Sequence, residues 1–213
     1  MIRHTLILLV KSVITFSVTV VVMALGMVTV ALALPFRTEH DGAIPFSQYP
    51  GNGEWRLVTL PRWAKWWDNI YDGMWGDKRG WWDNNCRETY GKTCKAFKSM
   101  YVWAAIRNSA NYFKRNVVGV DVSECDIIKL AGQEVVEADK GFPGWQFLVA
   151  LRRDGKLFHR FFLEIPWSFK PDRLLLIDIG WKIKMSHNGT SPEARPQDRF
   201  KGSVFTISPW KAL

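Results

Sequence analysis

One stretch near the N-terminus limits what this chain can fold into more than any other feature. Residues 12–36 carry no charged side chain, and the apolar run extends back to Thr5 behind one charge, Lys11. A helix of 25 residues is longer than the ~20 residues that cross ~30 Å of hydrocarbon. The sequence therefore predicts a transmembrane helix within a membrane anchor, residues 1–36.

Two other readings of this segment are open. The small residues in Ala31-Leu32-Ala33 resemble a signal-peptidase site, which would make the segment a cleaved signal. A signal core, however, usually runs about 7 to 15 residues, and Pro35 would sit just after the cut. Gly26 would also permit a short re-entrant hairpin. The length favours a retained anchor.

The charges beside the apolar segment predict its orientation. Arg3 and Lys11 precede it, whereas Arg37, Glu39 and Asp41 follow it. Basic residues are enriched on the cytoplasmic side of membrane spans. We therefore expect a single-pass protein with a cytoplasmic N-terminus and an extracytoplasmic C-terminal domain.

The composition describes a folded, basic protein. Hydrophobic residues make up 47% of the chain, which excludes a disordered protein. The net charge is +9. This balance favours contact with anionic lipid, cell-wall polymer or nucleic acid, although a solvated basic surface explains it equally well.

The region after the anchor divides into a linker and one domain. Glycine and proline recur through residues 37–61, which predicts an extended linker. Residues 62–213 form a single domain that looks helical over 62–116 and strand-rich over 117–213. Helices followed by strands predict an α+β fold, with short amphipathic helices and a four- or five-stranded antiparallel sheet. One of these helices is predicted over residues 94–110.

A tryptophan stripe opens this domain. Trp63, Trp66, Trp67 and Ile70 stand at positions i, i+3, i+4 and i+7 of a predicted amphipathic helix. Tryptophan favours the boundary between water and lipid, so this face is a candidate membrane interface. The same stripe would equally suit a helix packed under the sheet. Two basic residues beside it, Arg62 and Lys65, could reach lipid phosphates.

The segment WWDNIYDGMWGDKRGWWDNN, residues 66–85, concentrates aspartates among glycines. Asp68, Asp72, Asp77 and Asp83 provide hard oxygens that would suit Ca²⁺, but their spacing is not that of an EF-hand. Aspartate beside tryptophan is also found on sugar-binding surfaces. Turns and helix caps are the third interpretation.

Alternating apolar residues predict the strands. Trp145, Phe147, Val149 and Leu151 lead into Asp154-Gly155, a hairpin turn signal, and alternation resumes from Leu157 to Leu163. Further strands are predicted over 133–137, 174–185 and 203–208. In the 174–185 strand, one face would carry Ile177, Ile179, Trp181, Ile183 and Met185.

No catalytic motif is recognisable. The chain contains no G-x-S-x-G, Walker or H-E-x-x-H sequence, and its histidines lack metal-ligand spacing. We therefore predict no catalytic residue and no cofactor, with Ca²⁺ as the one candidate ion. Cys86 and Cys94 could form a disulfide, or they and Cys125 could all be thiols. If an active site exists, the residues to test are Asp72, Asp77, Asp83 and His187.

Several motifs together carry a resemblance. WWDNIYDGMWGDKRGWWDN, WAAIRNSANYFKR, GFPGWQF and KGSVFTISPW resemble a family of uncharacterised tailed-bacteriophage proteins that often begin with apolar segments. The resemblance covers most of residues 55–213 and carries no activity. It implies a phage source and a setting in the host inner membrane or the virion.

The expected function is a non-catalytic, membrane-anchored binding or structural module that contacts lipid and other phage or host envelope proteins. A small glycan-active enzyme, with or without Ca²⁺, is the alternative. Nucleic-acid binding is a third, disfavoured because no recognisable binding module is present.

Overall fold

The computed structural model describes residues 1–40, 57–68, 97–133 and 143–212. The chain forms two compact units: Met1–Val18 with Val118–Leu213, and Thr19–Val117. A long apolar helix and a five-stranded antiparallel sheet confirm the predicted α+β class. The predicted division at residues 36 and 61 stays a prediction.

The N-terminal helix α1 runs continuously over Ile2–Ala33. A 3₁₀ turn, Leu34–Phe36, ends it, because Pro35 has no N–H to donate and its ring blocks a further helical turn. The continuous helix excludes the re-entrant hairpin at Gly26. Among the described residues, the span Ile2–Phe36 alone is long and apolar enough to cross a membrane.

The Thr19–Val117 unit is built from short elements. Strand β1, Thr38–His40, pairs antiparallel with β2, Leu57–Thr59. A 3₁₀ helix covers Arg62–Trp67. The helix predicted over 94–110 is described from Phe97, as an α-helical turn to Tyr101 that widens into a π-helix over Val102–Arg107. A second π-helix covers Phe113–Val117.

The other unit is centred on a sheet with the strand order β4-β5-β6-β7-β9, antiparallel throughout. Its strands are β4 (Cys125–Gly132), β5 (Gly144–Arg152), β6 (Leu157–Trp167), β7 (Lys170–Trp181) and β9 (Ser203–Ala212). A small ladder pairs β3, Val120–Asp121, with β8, Phe200–Lys201. Short helical turns lie at Val122–Glu124, Met185–His187 and Pro196–Arg199.

The β5–β6 hairpin confirms the prediction made from Asp154-Gly155, but its loop has three residues. The Arg152 N–H donates to Lys156 O at 2.9 Å, and the Gly155 N–H donates to Arg152 O at 2.8 Å. Gly155 has a φ of +83°, the left-handed conformation that such a loop requires. The Asp154 carboxylate accepts from the Lys156 N–H at 3.2 Å.

The first strand of the sheet lies earlier than predicted. Strand β4 ends at Gly132, whereas we expected a strand over 133–137; residues 134–137 lie outside the described residues. As the edge strand, β4 has backbone groups that β5 does not reach. The side-chain amide of Asn188 pairs with both backbone groups of Ile127, accepting at 2.8 Å and donating at 2.9 Å. This amide therefore substitutes locally for a neighbouring strand.

The strand register defines two faces of the sheet. Val149, His159, Phe161, Ile179 and Phe205 share one face, called here the α1 face. Leu148, Ala150, Phe158, Arg160 and Asp178 share the other, called the core face. A buried cluster covers part of the core face: Val120, Val122, Ile127, Leu148, Ala150, Trp181 and Ile183.

The expected placement of Trp181 and Ile183 beside Ile177 and Ile179 is wrong. Gly180 has a φ of +109°, and after it Trp181 and Ile183 join the core-face cluster. The Trp181 ring meets Phe158 edge-on at 5.2 Å. A Cβ on Gly180 would overlap the carbonyl of His159, so glycine permits both the close strand approach and the change of face.

One ion pair is buried in the core face. Arg160 donates from Nε and Nη2 to the two carboxylate oxygens of Asp178 at 2.8 and 2.9 Å, and from Nη1 to Ile183 O at 3.0 Å. The guanidinium carbon lies 4.7 Å from the Phe162 ring centroid. The geometry is bidentate, which is what two charges need when they are removed from water.

Candidate functional site

Each half of helix α1 buries one side. The buried positions are four apart within Met1–Val18, and three or four apart from Thr19 to Ala33, as one side of an α-helix requires. They include small and polar side chains, and partly buried Lys11 lies beside them. The buried positions are Leu8, Ser12, Thr19, Val22, Gly26, Val30, Ala33.

The opposite side of α1 is exposed and strongly apolar. Between residues 4 and 33, thirteen large hydrophobic side chains are exposed, whereas Thr5 and Ser17 are the exposed polar ones. A surface helix in water shows the reverse arrangement, with apolar residues inward. The exposed residues are Leu6, Leu9, Val10, Val13, Ile14, Phe16, Val18, Val20, Val21, Leu25, Met27, Val28, Leu32.

The first half of α1 packs on the α1 face of the sheet. His4 Nδ1 lies 3.0 Å from His159 Nε2, and a Cβ on Gly180 would touch Leu8. The Phe16 ring packs on that of Phe205 with centroids 4.7 Å apart. Residues 4–16 therefore cross strands β6, β7 and β9.

Arg3 and Lys11 are the two Lys or Arg residues of α1. The ammonium group of Lys11 is bound by the sheet. This group donates to Leu157 O at 2.8 Å and lies 5.8 Å from the Phe158 ring centroid. The charge is thereby turned towards the sheet and away from the exposed apolar side of the helix. Charged residues in lipid-embedded helices are arranged in this way.

His159 lies on the α1 face and is fully buried. Burial, together with electrostatic interactions with His4 and Lys11, lowers the pKa of its imidazole to about 4. Its Nδ1 has no hydrogen-bond partner among the described residues. The ring is therefore neutral at neutral pH and serves as a packing element beneath α1.

The second half of α1 contacts the predicted tryptophan stripe. Trp67 donates from Nε1 to Val22 O at 2.8 Å, and its ring lies against the Cα of Gly26, where a Cβ would overlap the indole. A helical carbonyl that accepts an indole N–H is uncommon in a free span. Because Gly26 has no side chain, it leaves the space that the Trp67 ring occupies.

The segment around these tryptophans is a 3₁₀ helix, not the predicted α-helix. With three residues per turn, Trp63 and Trp66 share one side while Ala64 and Trp67 share another. Trp67 is buried, which matches the packing alternative, whereas Trp63 and Trp66 are 58% and 46% exposed. The role of these two in membrane contact stays a prediction, and Ile70 lies outside the described residues.

The two basic residues of this stripe differ in environment. Arg62 is exposed. Lys65 is partly buried, 3.7 Å from the Asp68 carboxylate and 5.5 Å from the Tyr112 ring centroid. Lys65 thus has contacts within the fold, and contact of Arg62 or Lys65 with lipid phosphate stays a prediction.

Asp68 has a structural role in the described part of the chain. Its buried carboxylate accepts from the Leu60 N–H at 3.2 Å, and its carbonyl accepts from the Tyr112 N–H at 3.1 Å. The other three aspartates of the predicted ligand site, Asp72, Asp77 and Asp83, lie outside the described residues. The described residues hold no group of three metal-binding side chains.

The remaining polar candidates are engaged in local structure. His187 Nδ1 accepts from the Lys184 N–H at 3.1 Å and so caps a turn. Cys125 is a free thiol, and burial raises its pKa to about 11, which keeps it protonated and a poor nucleophile. Cys86 and Cys94 lie outside the described residues. An open cleft of about 400 Å³ adjoins Cys125, lined by polar residues including Glu124, Asp126 and Arg153.

Sequence reasoning missed an aromatic cluster on the α1 face. Trp167, Phe169 and Trp210 lie at one end of the sheet, with ring centroids 5.2 to 6.4 Å apart. Phe169 follows β6 in the turn to β7, and Trp210 lies near the end of β9. The sequence KGSVFTISPW contained one of these residues, but the strand pairing that joins them spans more than forty positions.

The comparison with protein families gives one result. A family model matches residues 5–213, nearly the whole chain. The chain therefore belongs to DUF7338, a family of unknown function. The match includes almost all of α1, so the apolar helix is part of the region by which DUF7338 is recognised. No curated protein and no solved structure matches the chain.

Proposed function

We propose that this DUF7338 protein is a non-catalytic, membrane-anchored binding or structural module, with α1 retained in the mature chain. The outward apolar side of α1 lies in lipid, and its inward side lies on the protein. One observation carries the proposal: α1 exposes thirteen large hydrophobic residues, whereas its buried positions include three large ones, Leu8, Val22 and Val30, among small and polar residues.

The energetic reason is the cost of the alternative. A fully buried aliphatic side chain gains roughly 1.5–3 kcal/mol relative to an exposed one. Thirteen such residues, each about half exposed, would cost on the order of 10 kcal/mol in water. That cost is comparable to the whole stability of a typical domain, about 5–15 kcal/mol. Lipid removes the cost because it solvates these side chains.

The packing of α1 supports retention over cleavage. A cut after Ala33 would remove His4, Leu8 and Phe16 from the α1 face and would expose His159. It would also remove the carbonyl and the glycine that hold Trp67. Loss of α1 would thus uncover apolar surface in both compact units.

The same contacts favour a helix that lies along the bilayer surface. Residues 4–16 follow the α1 face of the sheet, whereas the opposite face is covered by the buried cluster that contains Leu148 and Ile183. We therefore propose that α1 is immersed side-on, with the α1 face directed towards lipid. The single-pass crossing predicted from the flanking charges is the competing topology.

A cysteine-accessibility experiment separates the two topologies. Arg3→Cys and Glu193→Cys are introduced separately in a chain whose three native cysteines are replaced by alanine, and sealed vesicles are treated with a membrane-impermeant maleimide. Side-on immersion predicts that both positions react from the same side. Reaction from opposite sides would establish the single-pass crossing instead.

Retention is tested on the full-length chain. Mass spectrometry of the purified protein should find residues 1–36 present, and the protein should stay with membranes after alkaline carbonate extraction. A mature chain that begins near Leu34, or one released by carbonate, would refute the proposal.

The more specific setting, a phage protein in the host inner membrane or virion with envelope proteins as partners, rests on the sequence resemblance. Copurification from infected cells, with membranes and particles analysed separately, tests it. The alternative of a Ca²⁺-dependent glycan enzyme predicts that the melting temperature rises with Ca²⁺ and falls with EDTA. An unchanged melting temperature counts against that enzyme.

A further inference from the structure

We propose that Trp167, Phe169 and Trp210, called here the aromatic platform, form a second lipid contact that inserts into the headgroup region of an anionic bilayer. The inference rests on the proposed membrane function and adds a specific binding surface to it. The occupant is the bilayer itself.

The platform is presented to its surroundings in a fixed arrangement. Trp167 donates from Nε1 to Pro209 O at 2.6 Å, which ties the β6–β7 turn to β9. Its ring is tilted against both Phe169 and Trp210. Phe169 is nevertheless 68% exposed and Trp210 54% exposed. Three aromatic rings held together and left uncovered form the type of patch that marks an interaction site.

The platform continues the apolar α1 face. Ile207 pairs with Ile177 on that face and is exposed, and Ile165, also exposed, stands one alternate position before Trp167. Trp167 lies eight positions after His159 along β6, which corresponds to a distance of about 26 Å from the part of the sheet beneath α1. The α1 face therefore has lipid-compatible groups at both ends.

The charges around the platform select the type of lipid. Lys170 Nζ lies 5.6 Å from the Trp210 ring centroid, and the guanidinium of Arg173 donates to Trp210 O at 3.3 Å. Because Arg173 Nε also lies 3.2 Å from the exposed carboxylate of Asp172, Lys170 provides most of the positive charge beside the platform. Cations beside indole rings are the arrangement found at membrane interfaces, where the ring enters the headgroup layer and the cation meets phosphate. The net charge of +9 favours approach to an anionic surface.

The test places a dye within the platform without removing a ring. Ser168, an exposed residue between Trp167 and Phe169, is changed to cysteine in the cysteine-free full-length chain and labelled with the environment-sensitive dye NBD. The matched control carries the dye at Glu193→Cys, an exposed position in the loop whose Asn188 binds β4. Both proteins are reconstituted into phosphatidylcholine vesicles with or without phosphatidylglycerol.

Two quenchers report the location of each dye. We expect the dye at 168 to be quenched several-fold more by brominated acyl chains than the dye at 193, and several-fold less by aqueous iodide. Lys170→Gln should reduce this difference more in anionic vesicles than in neutral ones. The double substitution Phe169→Ser with Trp210→Ser should raise iodide quenching of the dye at 168 to the level seen for the dye at 193.

The outcomes distinguish this inference from the proposed function. If the chain stays with vesicles while the dye at 168 is as accessible to iodide as the dye at 193, the platform does not bind lipid. If the dye at 168 is shielded from both quenchers, protein covers the platform, for example a second copy of the chain, and the lipid contact is again refuted. Failure of the full-length chain to associate with vesicles refutes the membrane function itself.

Discussion

The buried pair of Arg160 and Asp178 gives a quantitative prediction for Asp178→Asn. The substitution keeps the shape of the side chain but removes its negative charge. The guanidinium of Arg160, whose side chain is 1% exposed, would then lose its two bonds to an ionised carboxylate. Removing one member of a buried pair usually costs about 3–5 kcal/mol. Because Arg160 keeps its bond to Ile183 O and its contact with Phe162, we expect about 3 kcal/mol.

The assay is thermal or urea unfolding of the full-length protein in one detergent. For a chain of this length, ~3 kcal/mol corresponds to a fall in Tm of roughly 6–12 °C. The control is Asp154→Asn, which weakens a similar bidentate pair with Arg152 on the exposed β5–β6 turn. It should change stability little, because exposed pairs contribute little. Arg160→Met with Asp178→Leu should recover most of the loss, and equal effects of Asp178→Asn and Asp154→Asn would refute the reasoning.

Three further predictions concern α1 and its contacts. Gly26→Ala should displace Trp67 and lower stability by about 1–2 kcal/mol in urea unfolding. Trp67→Phe, which removes the bond to Val22 O and also leaves space where the larger buried indole packed, should cost about 2–3 kcal/mol. Folding lowers the pKa of His159 from 6.5 to about 4, so below pH 6.5 the unfolded chain binds a proton that the folded chain does not. The free energy of unfolding should therefore be highest above pH 6.5 and should fall by about 3 kcal/mol towards pH 4. His159→Phe should remove most of this pH dependence. Leu25→Lys, on the outward side of α1, should weaken membrane retention in carbonate extraction by roughly 3 kcal/mol per site; no change would place that side of the helix in water.

Local patterns predicted the regular elements well. The charge-free run gave α1, and period-two alternation around Asp154-Gly155 gave the β5–β6 hairpin. These signals depend on neighbouring residues, so they can be read without tertiary information. Strand β4 was missed because its sequence does not alternate: the neighbours Ile127 and Ile128 are both apolar, although Ile127 is buried and Ile128 is exposed.

The site features depend on distant contacts. The spacing of Trp63, Trp66 and Trp67 suited an α-helix, but the bond from Trp67 to Val22 joins residues 45 positions apart and accompanies 3₁₀ geometry. The side of the sheet on which Trp181 lies was predicted wrongly. The left-handed backbone angle of Gly180 changes that side, and such an angle is not visible as a hydrophobic pattern. The inward turn of Lys11, Ser12 and Thr19 likewise requires knowledge of what packs on the helix.

The amide of Asn188 has a consequence for self-association. It occupies both backbone groups of Ile127 on β4, the edge strand of the described sheet. An exposed edge strand can pair with a strand of a second molecule and so begin a polymer. We therefore expect Asn188 to reduce such pairing at β4.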